Sequence, residues 1–563
     1  MKKLASILVL SLLCIECNKP EPEFIPYTHS SRDIRNLENN YLVYHKIITD
    51  QNGKIIPWCN PNFGCAYDSV ISLCWKFWIN IRRDDNGLPY YMNHQIYREG
   101  YNDHRGIGGD QFQAALESWR YYYGYTGDEN VLENAKFIAD YYITHSLSPA
   151  HAAWPNVPHP YNTKVYSGIY DGDMILGKGY FQPDKAGAFG FELLQLFKAT
   201  KNEEYLKLAI GIANTLASKT SSGDENNSPL PFKVNTETGE IGVLKDSETG
   251  QLTMAASYTT AYSGLLSLFE ELIRLQQGNT IKYQQAYDKI LVWMKKYPMQ
   301  NMKWGPYFED VSGWSNTQVN AVNWTIFMMS HPHLFPNWKS EVKAITDWIY
   351  QEFGNTMWAQ FGVKVINEQT CFMYEGSSHS AHQASSDLMY ATLSGDSCYV
   401  ENAIRMLNWA TYMVDFDGKN QYPVEAIWMT DGYGDYIRHY LRSMSVWPSL
   451  APDNANHLIH TTSVIQRMDY YPNMIWGHWE IALSKEDLTK NKKHWPQIYY
   501  VTYDSASTET FRLVSKPVEI IVNSKPISES DSLEKEGWTW QPLAHGGVLR
   551  IKHTSGNRIQ ITM

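Results

Sequence analysis

Thr200-Lys201-Asn202-Glu203-Glu204-Tyr205-Leu206-Lys207-Leu208-Ala209 is one of four segments built to the same pattern. The others are Thr126-Gly127-Asp128-Glu129-Asn130-Val131-Leu132-Glu133-Asn134-Ala135, Gly278-Asn279-Thr280-Ile281-Lys282-Tyr283-Gln284-Gln285-Ala286 and Ser394-Gly395-Asp396-Ser397-Cys398-Tyr399-Val400-Glu401-Asn402-Ala403. Each follows a helical stretch and opens another. A polar turn that recurs in this way joins helices into repeated hairpins. After the turns, apolar residues fall on one helical face: Leu132, Ala135, Ile138, Ala139 and Tyr142; Tyr205, Leu208, Ala209, Ile212, Ala213 and Leu216; Val400, Ala403, Ile404, Leu407 and Ala410. Such helices suit an outer layer that packs inward.

The helices before the turns are apolar on more sides, as in residues 190–197 and 261–269. Helices apolar all round are buried. Inner helices surrounded by outer ones make a mainly α fold, an (α/α)6 toroid of helical hairpins.

The 563 residues are 43% hydrophobic and 14% aromatic, enough for one large core. Most of the 20 Trp and 39 Tyr pack between helices; the remainder suit a carbohydrate cleft, where flat rings stack on sugar faces. The net charge of −11 is dispersed, with no basic stripe, which argues against nucleic-acid binding.

At the N-terminus Lys2-Lys3 precedes an apolar run from Leu4 to Leu13, too short to span a bilayer, then Cys14, Cys17 and a polar tail. This resembles a bacterial lipoprotein signal. The resemblance implies export to the periplasm or outer membrane of a Gram-negative bacterium and a lipid anchor on Cys17, with Cys14 the alternative. Cys59, Cys65, Cys74, Cys371 and Cys398 show no zinc spacing; Cys59 and Cys65 suit either a disulfide or free thiols.

The expected organisation is a signal peptide over 1–17, a tether over 18–35, a catalytic toroid over 36–455 and a small antiparallel β domain over 456–563. The β domain is read from β-type runs at 497–503, 518–522 and 558–562. A loop over 150–178 holds Trp154, His159, Tyr161 and Asp171, and loops of this length are usually functional. Residues 221–253 read as a hairpin or flap.

In a toroid the inner helices run parallel, so the residues before their starts converge at one mouth. Six polar clusters occupy that point: His104, Arg105, Asp110 and Gln111; Gln182, Asp184 and Lys185; Ser257, Tyr258 and Thr259; Asn316, Gln318 and Asn320; Glu375, His379 and His382; Asp431, Tyr433, Asp435 and Arg438. Each has a plain structural reading beside the functional one. Asp110, Asp184 and Asp431 suit helix caps. Tyr258 and Tyr433 suit core rings. His379 and His382, three residues apart, suit hydrogen bonding better than a metal. Arg105 and Arg438 suit salt bridges, or a bidentate grip on a substrate carboxylate.

With these features the chain resembles the α/α-toroid carbohydrate-active enzymes: glycoside hydrolases, unsaturated uronyl hydrolases and polysaccharide lyases. The resemblance implies a glycan substrate over residues 36–450, with no cofactor or metal called for. Hydrolysis needs two carboxyl groups. Asp110 and Glu375 are the first choice, with Asp184 in reserve. Arg105, Lys185 and Arg438 favour a uronic-acid glycan, and the long loops favour exo action. Trp154, Tyr161, His104, Gln111, Asn316, His382, Asp431 and Tyr433 join them as substrate contacts. β-Elimination by a lyase is the alternative, with Tyr258 or His379 as base and Asn316 or Arg105 steadying the enolate-like charge. A surface glycan-binding lipoprotein is the third reading.

Overall fold

The computed structural model describes residues 35–36, 42–43, 45–84, 87–89, 92, 109–164, 167–245, 252–308, 313–420, 434–470 and 497–563. Twelve long helices and one short one lie among them: α1 (Phe63–Asn80), α2 (Gly109–Thr126), α3 (Glu129–Ser146), α4 (Pro183–Thr200), α5 (Glu203–Lys219), α6 (Ser263–Arg274), α7 (Thr280–Lys296), the four-residue α8 (Pro298–Asn301), α9 (Gln318–Ser330), α10 (Trp338–Glu352), α11 (Ser377–Ser394), α12 (Val400–Thr411) and α13 (Asp435–Val446).

All four recurring turns join helices. Asp128, Asn202 and Asn279 cap α3, α5 and α7 by accepting the backbone N–H of the second or third residue of the helix. Just before each cap the chain turns through positive φ, at Gly127 (70°), Lys201 (61°) and Gly278 (67°). A fifth turn, from His331 to Asn337, lies outside the pattern. It enters a 3-10 turn at Pro332 instead of a capped helix start.

The hairpins close a ring. Inner helices α2, α4, α6, α9, α11 and α13 each pack on the next, and α13 packs back on α2. Outer helices α3, α5, α7, α10 and α12 back their hairpin partners. The sixth outer position is filled by the first of the described helices: α1 packs on α13 and α12. This is the (α/α)6 toroid. The faces of α3 and α5 read as inward from sequence are buried, apart from the half-buried Leu132 and Leu208. Where α4 meets α6 the backbones come close: a Cβ on Gly264 would lie 2.6 Å from that of Ala188, and one on Gly187 would lie 2.7 Å from that of Leu265.

From His457 onward the described chain forms two antiparallel sheets. One holds strands 457–461, 507–513, 547–553 and 537–542; the other holds 465–470, 498–502, 558–562, 519–522 and 525–527. Asn523 and Ser524, at φ 44° and 68°, make the two-residue turn between the last two. The sheets face each other through Tyr500 and Phe511, whose ring centroids are 5.4 Å apart.

This sandwich sits on the C-terminal ends of α2, α4 and α6. His457 bonds the carbonyl of Tyr125, Gln466 donates to that of Lys198, and Asp504 pairs with Arg274 at 2.9 Å. It therefore closes the end of the toroid opposite the mouth. Residues 243–245 and 252–255 form a hairpin within the 221–253 segment. Cys59 and Cys65 are free thiols, directed at the Ala66 carbonyl and the Asp453 carboxylate. Among the described residues no helix is long and apolar enough to cross a membrane.

Candidate active site

Helix N-termini present unpaired N–H groups and the positive end of the helix dipole, so the mouth suits polar chemistry. The strongest marker is α11. Between Ser377 and Asp387 its only apolar side chains are Ala381 and Ala384, yet every residue there is buried. Buried polar groups need partners, and the neighbouring elements supply them.

His379 sits one turn into α11. Its Nδ1 is 3.3 Å from Oε1 of Gln318, the first residue of α9. Its Nε2 is 3.7 Å from a carboxylate oxygen of Glu368, on strand 365–369. The Phe308 ring stands edge-on to it at 5.9 Å. His382, three residues on, stacks on His439 of α13 with centroids 4.3 Å apart. His439 Nε2 lies 3.6 Å from Asp435, which is ion-paired with Arg438.

Arg438 also crosses to Glu117 of α2, where Arg442 joins it at 2.9 Å. One turn further along α2, Arg120 forms a two-pronged pair with Glu192 of α4, at 3.0 and 3.1 Å. Three carboxylates and three guanidiniums thus knit α13, α2 and α4 together across the ring.

Burial sets the protonation here. It pushes His382 well below the ordinary imidazole value, and the neighbouring His439, Arg442 and Arg438 push the same way. Burial lowers His439 to about 4 although Asp435 pulls upward, so both rings of the stack are neutral at physiological pH. For Asp435 and Glu117 burial acts upward, but the arginines outweigh it and hold both carboxyls below the usual range.

A second group opens α4. Lys185 Nζ bonds Asp184 Oδ2 and the carbonyl of Tyr307, both at 2.9 Å, and lies 3.5 Å from the Tyr307 ring centroid. Thr259 donates to the Pro306 carbonyl at 3.0 Å and to Asp184 at 3.4 Å. Tyr307 and Phe308 meet edge to face at 5.0 Å, which links this group to His379. Further out, Tyr258 stands edge-on to Trp314, and Lys303 lies over both rings at 4.3 and 4.5 Å. The hairpin before α11 carries Phe372 and Tyr374, rings 4.6 Å apart, with Tyr374 45% exposed.

Of the residues expected from sequence, the structure brings together His379, His382 and Arg438, with Asp184 and Lys185 close by. Glu375 is buried, and its two oxygens accept from Trp358 Nε1 at 3.0 Å and Asn355 Nδ2 at 3.1 Å. That bonding ties the hairpin to the outer layer. Asn316 spends its side-chain oxygen on the Trp304 N–H at 3.0 Å. Trp154 is buried edge-on to Phe181, and Tyr161 is buried with its backbone paired to Gly172. Gln111 is half-buried at the start of α2. His104, Arg105, Asp431 and Tyr433, and the side chain of Asp110, lie outside the described residues.

Sequence reasoning missed Glu117, Tyr307, Phe308, Glu368 and His439. A usable signal for His439 was its i, i+4 spacing from Asp435 inside a helix that also carries Arg438 and Arg442. Glu117 gave none, because its partners are more than 300 residues away. Chemically, an imidazole beside a carboxylate is equipped to take up and return a proton, and His379 with Glu368 is such a pair.

Neither a protein-family model nor a curated protein matches the sequence. Solved structures do match. A cellobiose 2-epimerase from Spirochaeta thermophila DSM 6192 is 12% identical over 69% of this chain and 99% of its own, with a TM-score of 0.50. A D-mannose isomerase is 10% identical over 70% and 99%, also at 0.50. A family 76 glycoside hydrolase from a bovine Bacteroides thetaiotaomicron strain is 11% identical over 68% and 78%, at 0.45. At these identities the likeness is one of fold.

Proposed function

We propose that this chain is a carbohydrate-processing enzyme that works by imidazole proton transfer, interconverting a neutral sugar at the carbon beside its carbonyl. The observation that carries the reading is the convergence of His379 with Glu368, and of His382 and His439 with Asp435, on adjacent inner helices at the mouth. One imidazole removes the proton from the carbon beside the carbonyl while the carbonyl oxygen gains one. The resulting enediol collapses with a proton returned to the opposite face of the same carbon, which epimerises it, or to its neighbour, which isomerises it. The two neighbours with a TM-score of 0.50 bear the names of an epimerase and an isomerase, which supports this class. Trp314, Phe372 and Tyr374 give flat rings beside the mouth for the sugar beyond the reacting one.

A neutral sugar fits because Arg438 is committed to Glu117 and Asp435 and Lys185 to Asp184, while Lys303 lies over the Tyr258 and Trp314 rings further out. A uronate would rely on Arg105. Hydrolysis is the second reading, favoured by Asp110, Asp184, Glu375 and Asp435 standing at the openings of four inner helices. Anchoring through a lipid on Cys17 remains our expectation for the N-terminus, and labelling with a radioactive fatty acid in wild-type and Cys17→Ser cells tests it.

The test of activity is a panel of aldoses, disaccharides and uronate-containing oligosaccharides in D2O. Deuterium at the carbon next to the carbonyl, lost in His379→Gln, is expected. New reducing ends without deuterium would replace the proposal with hydrolysis. Ultraviolet absorbance of unsaturated uronate would replace it with elimination.

A further inference from the structure

His379 is the near end of a buried chain of hydrogen bonds that runs away from the mouth. Gln318 Oε1 faces His379 Nδ1 at 3.3 Å, and Gln318 Nε2 donates to Gln383 Oε1 at 3.3 Å. Gln383 Nε2 donates to Asp387 Oδ1 at 2.8 Å. The other Asp387 oxygen accepts from Tyr350 of α10 at 2.7 Å, and Asn402 donates to that hydroxyl at 3.1 Å. Gln318 and Gln383 are 0% exposed and Asp387 1%.

The direction of the chain is set at its far end. An amide that bonds an acceptor oxygen must present its NH2 group, which leaves its carbonyl pointing back up the chain. That carbonyl can be met only by the next NH2, whose own carbonyl then faces the imidazole. The last carbonyl can be met only by an N–H.

We infer that Gln318, Gln383 and Asp387 are positioning residues that hold His379 as the Nδ1–H tautomer, leaving Nε2, turned toward Glu368, as the atom that takes and returns the substrate's proton. This rests on the proton-transfer reading of the site given above. His379, Gln383 and Asp387 are spaced four residues apart, a single stripe of α11, with Gln318 inserted from α9 to bridge the first step. A carboxylate bonded directly to the ring would do the same with a charge beside the reaction. Two intervening amides carry the orientation and keep the charge two helical turns away. Burial pushes Asp387 up to about 7. With the carboxyl ionised, or with its proton on the oxygen facing Tyr350, Oδ1 stays an acceptor and the direction holds.

The test is nitrogen NMR of protein labelled with 15N-histidine, with His379 assigned by comparison with His379→Gln, on the alkaline plateau of its titration. Wild type is expected to show Nδ1 with a proton-bearing shift and Nε2 with a bare one. Gln383→Met, which removes the middle amide, is expected to lose this preference and lower kcat on the order of a hundredfold with KM little changed. Asp387→Asn, which keeps an acceptor in place, is expected to retain the preference. Nε2 found protonated in wild type, or an Nδ1–H preference unchanged in folded Gln383→Met, would overturn the inference. The NMR arm needs no substrate. A protein silent on every sugar but showing the Nδ1–H shift would overturn the proposed function and the role given to Nε2, and leave only the tautomer assignment standing.

Discussion

Asp387 holds its carboxyl in the core at a thermodynamic cost that varies with pH. Burial raises it from 3.8 to about 7, against hydrogen bonds from Tyr350 and Gln383 that pull it down. Between those values the folded chain binds a proton that the unfolded chain has released. Stability therefore falls as pH climbs from about 4 to about 7, by at most about 4 kcal/mol, and stays low above. Asp387→Asn removes that dependence and is expected to raise Tm more at pH 8 than at pH 5, as calorimetry at the two values would show. Arg438 predicts the opposite effect. Arg438→Leu leaves Glu117 and Asp435 buried without their shared cation and is expected to destabilise by about 3–5 kcal/mol, read from urea unfolding. At this scale the sequence was half legible. His379, His382 and Arg438 declared themselves by type and spacing near a helix start, whereas Glu117, Glu368 and Tyr307 acquire meaning only when distant segments meet.

At the level of elements, the recurring turns were readable because their chemistry is local. A cap oxygen and a positive-φ residue are needed at each, and few residue types serve. Asp128→Ala is expected to cost about 1 kcal/mol through α3 alone, without disturbing the mouth, by thermal melting and assay together. The turn after α9 escaped because proline did the same work by another route. The pairing of inner helices was not readable, since any small residue fits the pattern. In the structure Gly187, Ala188 and Gly264 let α4 and α6 touch nearly backbone to backbone. Gly264→Val is expected to destabilise by at least about 1–3 kcal/mol, measured by urea unfolding, because its Cβ alone would lie 2.6 Å from the Cβ and 2.8 Å from the Cα of Ala188, so the backbone must shift.

Among the described residues, the two ends of the toroid differ: the β-sandwich packs on one of them. The sandwich covers the C-terminal ends of α2, α4 and α6 and buries Leu458, Ile465 and Met468 as it does so. A chain ending at residue 454 is expected to aggregate on expression. If it stayed soluble with a cooperative melt, the sandwich would be a passenger. The β runs near the C-terminus were legible as strands, but their seat opposite the mouth was not, because nothing in a strand's own residues says which end of another body it will cover.

Closing the ring from both ends of the chain also places the chemistry in time. Tyr67 of α1 bonds Asn408 of α12 across 341 residues, and the ion cluster that joins α2 to α13 is the same one that borders the imidazoles. A ribosome adding 5–20 residues each second needs roughly 17–70 s to make the stretch between those two partners. During that interval the contacts of α2 with α13 cannot form, because Asp435, Arg438 and His439 have yet to be made. Until the last inner helix docks, the ring contacts of α13 and the ion cluster beside His382 and His439 are missing, so a chain stopped before α13 is expected to remain an open arc.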